Sequence, residues 1–164
     1  MILIALGSNL SRAADLPPAE NVRGAVEKLK QISGLRFMAG SRWYVSAPIP
    51  ASIAPDFVNG IVRLEGSAEP AWLLDQLHAI EHAAGRERRE PNAPRVLDLD
   101  LIDLNGLIAA GPGPILPHPR AAMRAFVLRP IIDVAPEWVH PVLGETAANL
   151  LGRLEPQRIE VLVG

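Results

Sequence analysis

With 164 residues, 49% hydrophobic and 21% charged, the chain is about one domain long and has the apolar side chains to bury a full core, which excludes intrinsic disorder. Lys plus Arg number 16 against 18 Asp plus Glu, so no global field exists of the kind that holds nucleic acid or an anionic membrane, and anions must be bound locally. The absence of cysteine excludes a disulfide framework, a thiolate metal site and a cysteine nucleophile. Because no apolar run approaches ~20 residues and Met1 to Leu6 lacks a basic leader, a soluble, unprocessed, cytoplasmic protein is expected.

Ile2 to Leu6 is a short apolar run cut by Gly7-Ser8-Asn9, which predicts a strand buried on both faces that ends in a tight loop. Val22, Val26, Leu29 and Ile32 recur at helical spacing after Pro17 and Pro18 and predict an amphipathic helix closed by Gly34. An extended run from Leu35 through Phe37 and Trp43 to Val45 stops at Pro48 and Pro50. Phe57 to Leu64 is a second extended run, with Asn59-Gly60 inside it or marking a bulge, and the two are expected to pair antiparallel. Glu69-Pro70 opens a second helix with the stripe Leu73, Leu77, Ile80 and Ala84, ending at Gly85. A basic, proline-broken loop over 85–95 leads into the strand Leu97 to Leu101, which runs on through Ile102 and Leu104 to a hairpin turn at Asn105-Gly106. Helices are expected around Phe126 to Val134 and Thr146 to Leu154, with a last strand at Ile159 to Val163.

Strand, helix, strand, strand, helix, strand is the split βαβ order. The expected class is α+β, a ferredoxin-like βαββαβ core sheet with extra C-terminal helices on its second face, giving three α-β-α layers in a single domain over residues 1–164. Such a fold leaves function open.

Chemistry concentrates at Leu97-Asp98-Leu99-Asp100-Leu101, where alternation puts both aspartates on one face, roughly 6.6 Å apart along the backbone at ~3.3 Å per residue. Carboxylates so close raise each other's pKa unless a cation intervenes. Oxygen ligands without His or Cys favour Mg²⁺ over zinc, with remaining positions taken by water and substrate phosphates. The plain alternative is a solvated sheet face kept soluble by its aspartates. Arg86, Arg88 and Arg95 lie within about a dozen residues upstream and supply fork donors suited to phosphate, although an Arg and Glu mixture is also an ordinary solvated helix end. No Walker A sequence and no GxGxxG is present. Gly7-Ser8-Asn9 alone reads as a plain turn. His78-Ala79-Ile80-Glu81-His82 matches the H-x-x-E-H pattern of inverted zincins, but needs a distant third ligand; an exposed polar helix face is the simpler reading.

Leu6-Gly7-Ser8-Asn9-Leu10, Asp56-Phe57-Val58-Asn59, Gly85-Arg86 through Arg95 to Asp100, and Pro117-His118-Pro119-Arg120 leading to Arg124-Ala125-Phe126 together resemble the 6-hydroxymethyl-7,8-dihydropterin pyrophosphokinases of folate biosynthesis, over positions 6 to 136. The resemblance implies transfer of pyrophosphate from ATP to the pterin hydroxymethyl oxygen, releasing AMP, with two Mg²⁺ ions bridged by Asp98 and Asp100. It implies triphosphate contacts from Arg86, Arg95, His118 and Arg124, with Arg88 and Glu81 shaping the nucleotide site, and catalytic roles for Arg86 and Arg95 beside the two aspartates. Phe57 and Phe126 would flank the pterin ring. Asn59 would read its edge, helped by groups near Ser46, Ala47 and Ile49 and by the position of Tyr44.

This sequence departs from the family pattern in places. Asn92 stands near where a loop tryptophan is common, in a loop one residue shorter; His78 replaces a common glutamine, Pro119 a tyrosine, and the Pro55 region is short. The expected protein is a monomeric cytoplasmic transferase acting on small molecules, with neither nucleic acid nor membrane as partner. Its rival is a ferredoxin-like binding or regulatory module without turnover.

Overall fold

The computed structural model describes residues 1–11, 16–85 and 94–163. Its elements are β1 (Ile2–Ser8), α1 (Pro18–Leu29), β2 (Leu35–Gly40), β3 (Tyr44–Ser46), β4 (Phe57–Gly66), α2 (Pro70–Ala83), β5 (Asp98–Leu104), α3 (Ala125–Val134), α4 (Ala147–Arg153) and β6 (Ile159–Val161). The sheet runs β5-β1-β4-β3-β6, with β2 also on β4, and the pairings among the described residues are antiparallel. Taking β1, β2, β4 and β5 as the four core strands gives the ferredoxin-like order expected from sequence. β4 is long enough for β2 to pair with its far half, at Val62 to Gly66, and β3 with its near half, at Phe57 to Asn59.

Alternation sorts side chains between two cores. Ile2, Ile4 and Leu6 of β1, Val58, Val62 and Leu64 of β4, and Leu99 and Leu101 of β5 pack with Val22, Leu29, Leu73 and Leu77 of α1 and α2. On the other face Leu3, Ile61 and Ile102 pack with Val127, Leu128 and Ile131 of α3 and with Ala147 and Leu150 of α4. These are the three expected layers. α1 and α2 each begin with Pro in the first turn, and Glu69 accepts the Trp72 N–H as a cap of α2.

Three details differ from the sequence reading, and one alternative it left open is resolved. β1 continues to Ser8, past the point where a loop was expected. The extended run from Leu35 splits into β2 and β3, because Ser41 turns in to accept the Ile61 N–H and the chain bends at 41–43. Asn59 and Gly60 lie inside β4 in regular register with Gly7 and Leu6, while register shifts fall between Phe37 and Ala39 in the β2–β4 pair and between Leu3 and Ile4 in the β1–β5 pair. Gly60 is needed because a Cβ there would stand 2.6 Å from the Trp43 ring. The turn at Asn105-Gly106 forms, with both φ values positive, but does not make a hairpin: β5 pairs with β1 among the described strands, and the chain continues to an isolated bridge between Ala109 and Leu116.

Candidate active site

One end of the sheet opens into a cleft on the α3 side. Gly7 at the end of β1, Ser46 at the end of β3, Phe57 and Asn59 at the start of β4, and Asp98 and Asp100 at the start of β5 reach it together. The approach to α3 adds Arg120, Arg124 and Phe126, and the loop after β3 adds Ala47, Pro48, Ile49 and Pro50. Odd positions of β1 and β4 and even positions of β5 share this face, since Gly7 registers with both Asn59 and Asp98. A Cβ on Gly7 would lie 3.4 Å from Asn59 Oδ1 and 3.9 Å from Asp98 Cβ, so the glycine keeps open the floor between the two.

The acidic half is ringed by cations. Arg95 Nη1 donates to Asp98 Oδ1 at 2.7 Å, both side chains being largely buried. Asp100 Oδ2 stands 3.8 Å from His118 Nε2 and 4.0 Å from Arg124 Nη1. Burial pushes the Asp100 carboxyl above the usual carboxylate range and the Asp98 charge adds to this, against the pull of His118, Arg124 and Arg95. Burial likewise holds His118 below its ordinary value, and Arg124 and Arg120 reinforce it against the attraction of Asp100. Arg120 N–H donates to His118 Nδ1 at 3.2 Å, so the neutral ring carries its proton on Nε2, facing Asp100. Burial also lowers Arg124. Two half-buried carboxylates at the wall of an open cleft form an all-oxygen donor set, with the cleft side left for water and phosphate oxygens; these residues fit a hard divalent cation such as Mg²⁺.

The other half is apolar with a few placed polar groups. Asn59 Nδ2 donates to Ser46 Oγ at 2.9 Å and to the Phe57 carbonyl at 3.3 Å, which fixes the amide against the cleft floor. Phe57 and Phe126 are both half-buried cleft residues, and the Arg124 guanidinium lies 5.4 Å from the Phe126 ring centroid, linking the two halves.

The structure thus brings together Arg95, Asp98, Asp100, Arg124, Ser46, Ala47, Ile49, Phe57, Asn59 and Phe126, with His118 directly behind Asp100. Two expected residues sit elsewhere. Glu81 is buried on α2, where its carboxylate accepts the outward-facing Leu99 N–H of edge strand β5 at 2.7 Å; it supports the strand from outside the cleft. The Tyr44 hydroxyl donates to Asp133 of α3 at 2.7 Å, so Tyr44 braces α3 against β3 instead of lining the cleft. Arg86 and Arg88, with Asn92, lie outside the described residues. The H-x-x-E-H pattern does not converge: His78 and His82 are exposed while Glu81 turns inward.

Sequence reasoning missed Arg120 as a cleft residue and took Gly7-Ser8-Asn9 for a plain turn. Asn9 in fact clamps the site: its Oδ1 accepts the Arg95 N–H at 2.7 Å, its N–H donates to the Arg95 carbonyl at 3.0 Å, and its Nδ2 donates to the Pro55 carbonyl at 3.1 Å. The signal was an amide-bearing residue directly after a buried strand, where side-chain bonds to backbone are common.

A ferredoxin-like sheet thus carries paired carboxylates among guanidinium groups beside an aromatic pocket, a site whose chemistry suits a polyphosphate next to a flat ring. The family model described as 7,8-dihydro-6-hydroxymethylpterin-pyrophosphokinase (HPPK) matches residues 3–136, and the chain belongs to this family. It is 36% identical over 163 residues to the 2-amino-4-hydroxy-6-hydroxymethyldihydropteridine pyrophosphokinase of Pseudomonas aeruginosa, covering 99% of this chain and 97% of that one. The Synechocystis enzyme of the same name is 36% identical over 153 residues, 93% of this chain and 75% of that one. A solved HPPK-DHPS triple mutant from Plasmodium falciparum superposes with a TM-score of 0.71 at 12% identity over 93% of this chain; the match spans 42% of that longer chain and shows the fold.

Proposed function

We propose that the chain is an ATP-dependent diphosphotransferase that moves pyrophosphate from ATP to 6-hydroxymethyl-7,8-dihydropterin in folate synthesis, giving AMP and the dihydropterin pyrophosphate. Family membership over residues 3–136 supports the activity. The single observation that carries the assignment of the site is the juxtaposition, in one cleft, of Asp98 and Asp100 with Asn59, Phe57 and Phe126. An acidic, cation-ringed half lies beside a flat apolar half, as a reaction between a polyphosphate and a pterin requires.

In this reading Asp98 and Asp100 would hold two Mg²⁺ ions, whose chemistry would be neutralisation of the phosphate chain and polarisation of the β-phosphorus. The residues of the chain do the positioning. Arg95 and Arg124 bind phosphate oxygens through their fork donors, and His118 contributes a neutral Nε2–H beside Asp100. Arg120 adds a third guanidinium at the cleft rim. Phe57 and Phe126 sandwich the pterin, Asn59 pairs with its amide-like edge, and Ser46, Ala47 and Ile49 complete the wall. From the family likeness Arg86 is assigned to the triphosphate and Arg88 to the shaping of the nucleotide site. Residues 1–164 act as one domain, as a cytoplasmic monomer; among the described residues no helix is long and apolar enough to cross a membrane.

Coupled detection of AMP release, dependent on hydroxymethyl-dihydropterin, tests the reading. The wild-type chain is expected to turn over, and replacing both Asp98 and Asp100 with alanine to abolish the reaction. Turnover surviving that double substitution would sink the assignment.

A further inference from the structure

The residues after α4 lie beyond the 3–136 span of the family model, yet they are tied to three separate walls of the cleft. Gln157 makes the most specific tie. Its Oε1 accepts the Ala125 N–H at 2.8 Å and its Nε2 donates to the Met123 carbonyl at 2.9 Å, so a single amide grips the backbone on both sides of Arg124. Ala125 is the first residue of α3, and Arg124, at the cap position, makes no side-chain cap bond of its own. The first N–H groups of a helix need an outside acceptor, and here it arrives from 32 residues further along the chain. The next residue, Arg158, pairs with Asp56, which directly precedes Phe57. Ile159 then pairs with Ser46 in register, and Leu162 N–H closes on the Trp43 carbonyl at 2.9 Å.

We infer that Gln157 is a positioning residue for pterin and triphosphate recognition: it fixes the backbone turn that sets the Arg124 guanidinium and the Phe126 ring on their two sides of the cleft. The inference rests on the proposed function, since Arg124 and Phe126 matter here through the substrates they meet. An amide suits the task because it offers one acceptor and one donor in a fixed plane, matching an N–H and a carbonyl two residues apart. Arg124 and Phe126 are adjacent to that clamp, with the Arg124 guanidinium 5.4 Å from the Phe126 ring centroid, so loosening it displaces both together. The neighbouring Arg158 and Ile159 contacts hold Gln157 in place and do not substitute for its two bonds.

The test is calorimetric titration of the chain of residues 1–164 with hydroxymethyl-dihydropterin in the presence of Mg²⁺ and a nonhydrolysable ATP analogue, alongside steady-state kinetics. Gln157→Ala is expected to weaken pterin binding about tenfold and raise KM by a similar factor, while kcat falls less than threefold. Gln157→Glu keeps the acceptor for Ala125 but sets a carboxylate oxygen against the Met123 carbonyl, and should weaken pterin binding at least threefold. Arg153→Ala removes the exposed ion pair to Glu145 from the same C-terminal region and should leave both constants unchanged. A purely structural role predicts a lower Tm with unaltered KM well below it. Wild-type constants in Gln157→Ala, wild-type constants in Gln157→Glu, or an equal loss in Arg153→Ala would each overturn the inference. Failure of the wild-type chain to bind pterin or release AMP would instead strike the functional reading.

Discussion

β5 carries three aspartates on the same side of the sheet, and its two ends use them in opposite ways. At the cleft end, Asp98 and Asp100 face the guanidinium groups of Arg95 and Arg124 at 2.7 and 4.0 Å, with the neutral His118 ring at 3.8 Å, around an opening. At the far end, Asp103 is buried and meets neutral donors: the Trp138 indole Nε1–H at 2.9 Å and the Gly106 N–H at 2.7 Å. Simple alternation would have sent Asp103 to the α1–α2 face. A bulge at Ile102, where Leu3 pairs with Asp103 but Ile4 with Leu101, puts Ile102 and Asp103 together on the α3 side. The same residue type on one strand therefore serves chemistry where its partners are cations next to a cleft, and serves folding where its oxygens are saturated by N–H groups inside a core.

The sharpest way to break this comparison is to neutralise one aspartate at each end. Asp100→Asn keeps the shape and removes a half-buried charge that Asp98 already disfavours. Turnover is expected to fall about 10³-fold, about 4 kcal/mol in the transition state, with the Tm unchanged or raised. AMP-release kinetics and a thermal melt of the same sample decide it, and an Asp100→Asn chain with normal kcat would put the aspartate in the wrong category. Asp103→Ala is the converse. It leaves the Trp138 N–H buried without an acceptor and frees the Gly106 turn, so stability to urea should drop by about 2–3 kcal/mol while turnover per folded molecule stays at the wild-type level. A loss of activity in the residual folded Asp103→Ala protein would mean that the two ends are coupled.

What the sequence disclosed follows the same division. Local signals were enough for the elements: prolines and glycines at the ends of α1 and α2 and the apolar periods between them gave helices within a few residues of those observed. Leu-Asp-Leu-Asp-Leu disclosed the shared face of Asp98 and Asp100, because that follows from backbone geometry alone. Long-range contacts were not legible. Nothing around Glu81 announces that its carboxylate satisfies Leu99 across 18 residues, and nothing near Tyr44 shows that Asp133 will take its proton donor. Asn9 looked like turn material because its three backbone partners, at Arg95 and Pro55, are distant in the chain. A bulge is equally silent, since Ile102-Asp103 has no composition that marks the slipped register. Family likeness supplied the pterin wall and Arg124, which periodicity could not.

The smallest expected effect concerns the folding end alone. His140 lies edge-on to Trp138 with ring centroids 5.6 Å apart, and its Nδ1 accepts the Val142 and Leu143 N–H groups at 3.3 and 3.2 Å. Burial holds its pKa below the ordinary histidine value, while Asp103 on β5 and a backbone hydrogen bond pull weakly the other way. A histidine depressed in the folded state binds fewer protons than it does unfolded. Its stabilising contribution is therefore complete above the unfolded value of ~6.5 and is lost as pH falls through the lower folded value. Urea midpoints measured between pH 7.5 and 5 should decline in the wild type, and His140→Gln should start lower but lose the part of the slope that begins near pH 6.5. If the slope is the same in both, the proton taken up on unfolding belongs to another group; if it steepens in His140→Gln, the histidine at the Trp138 end must already be charged in the folded chain.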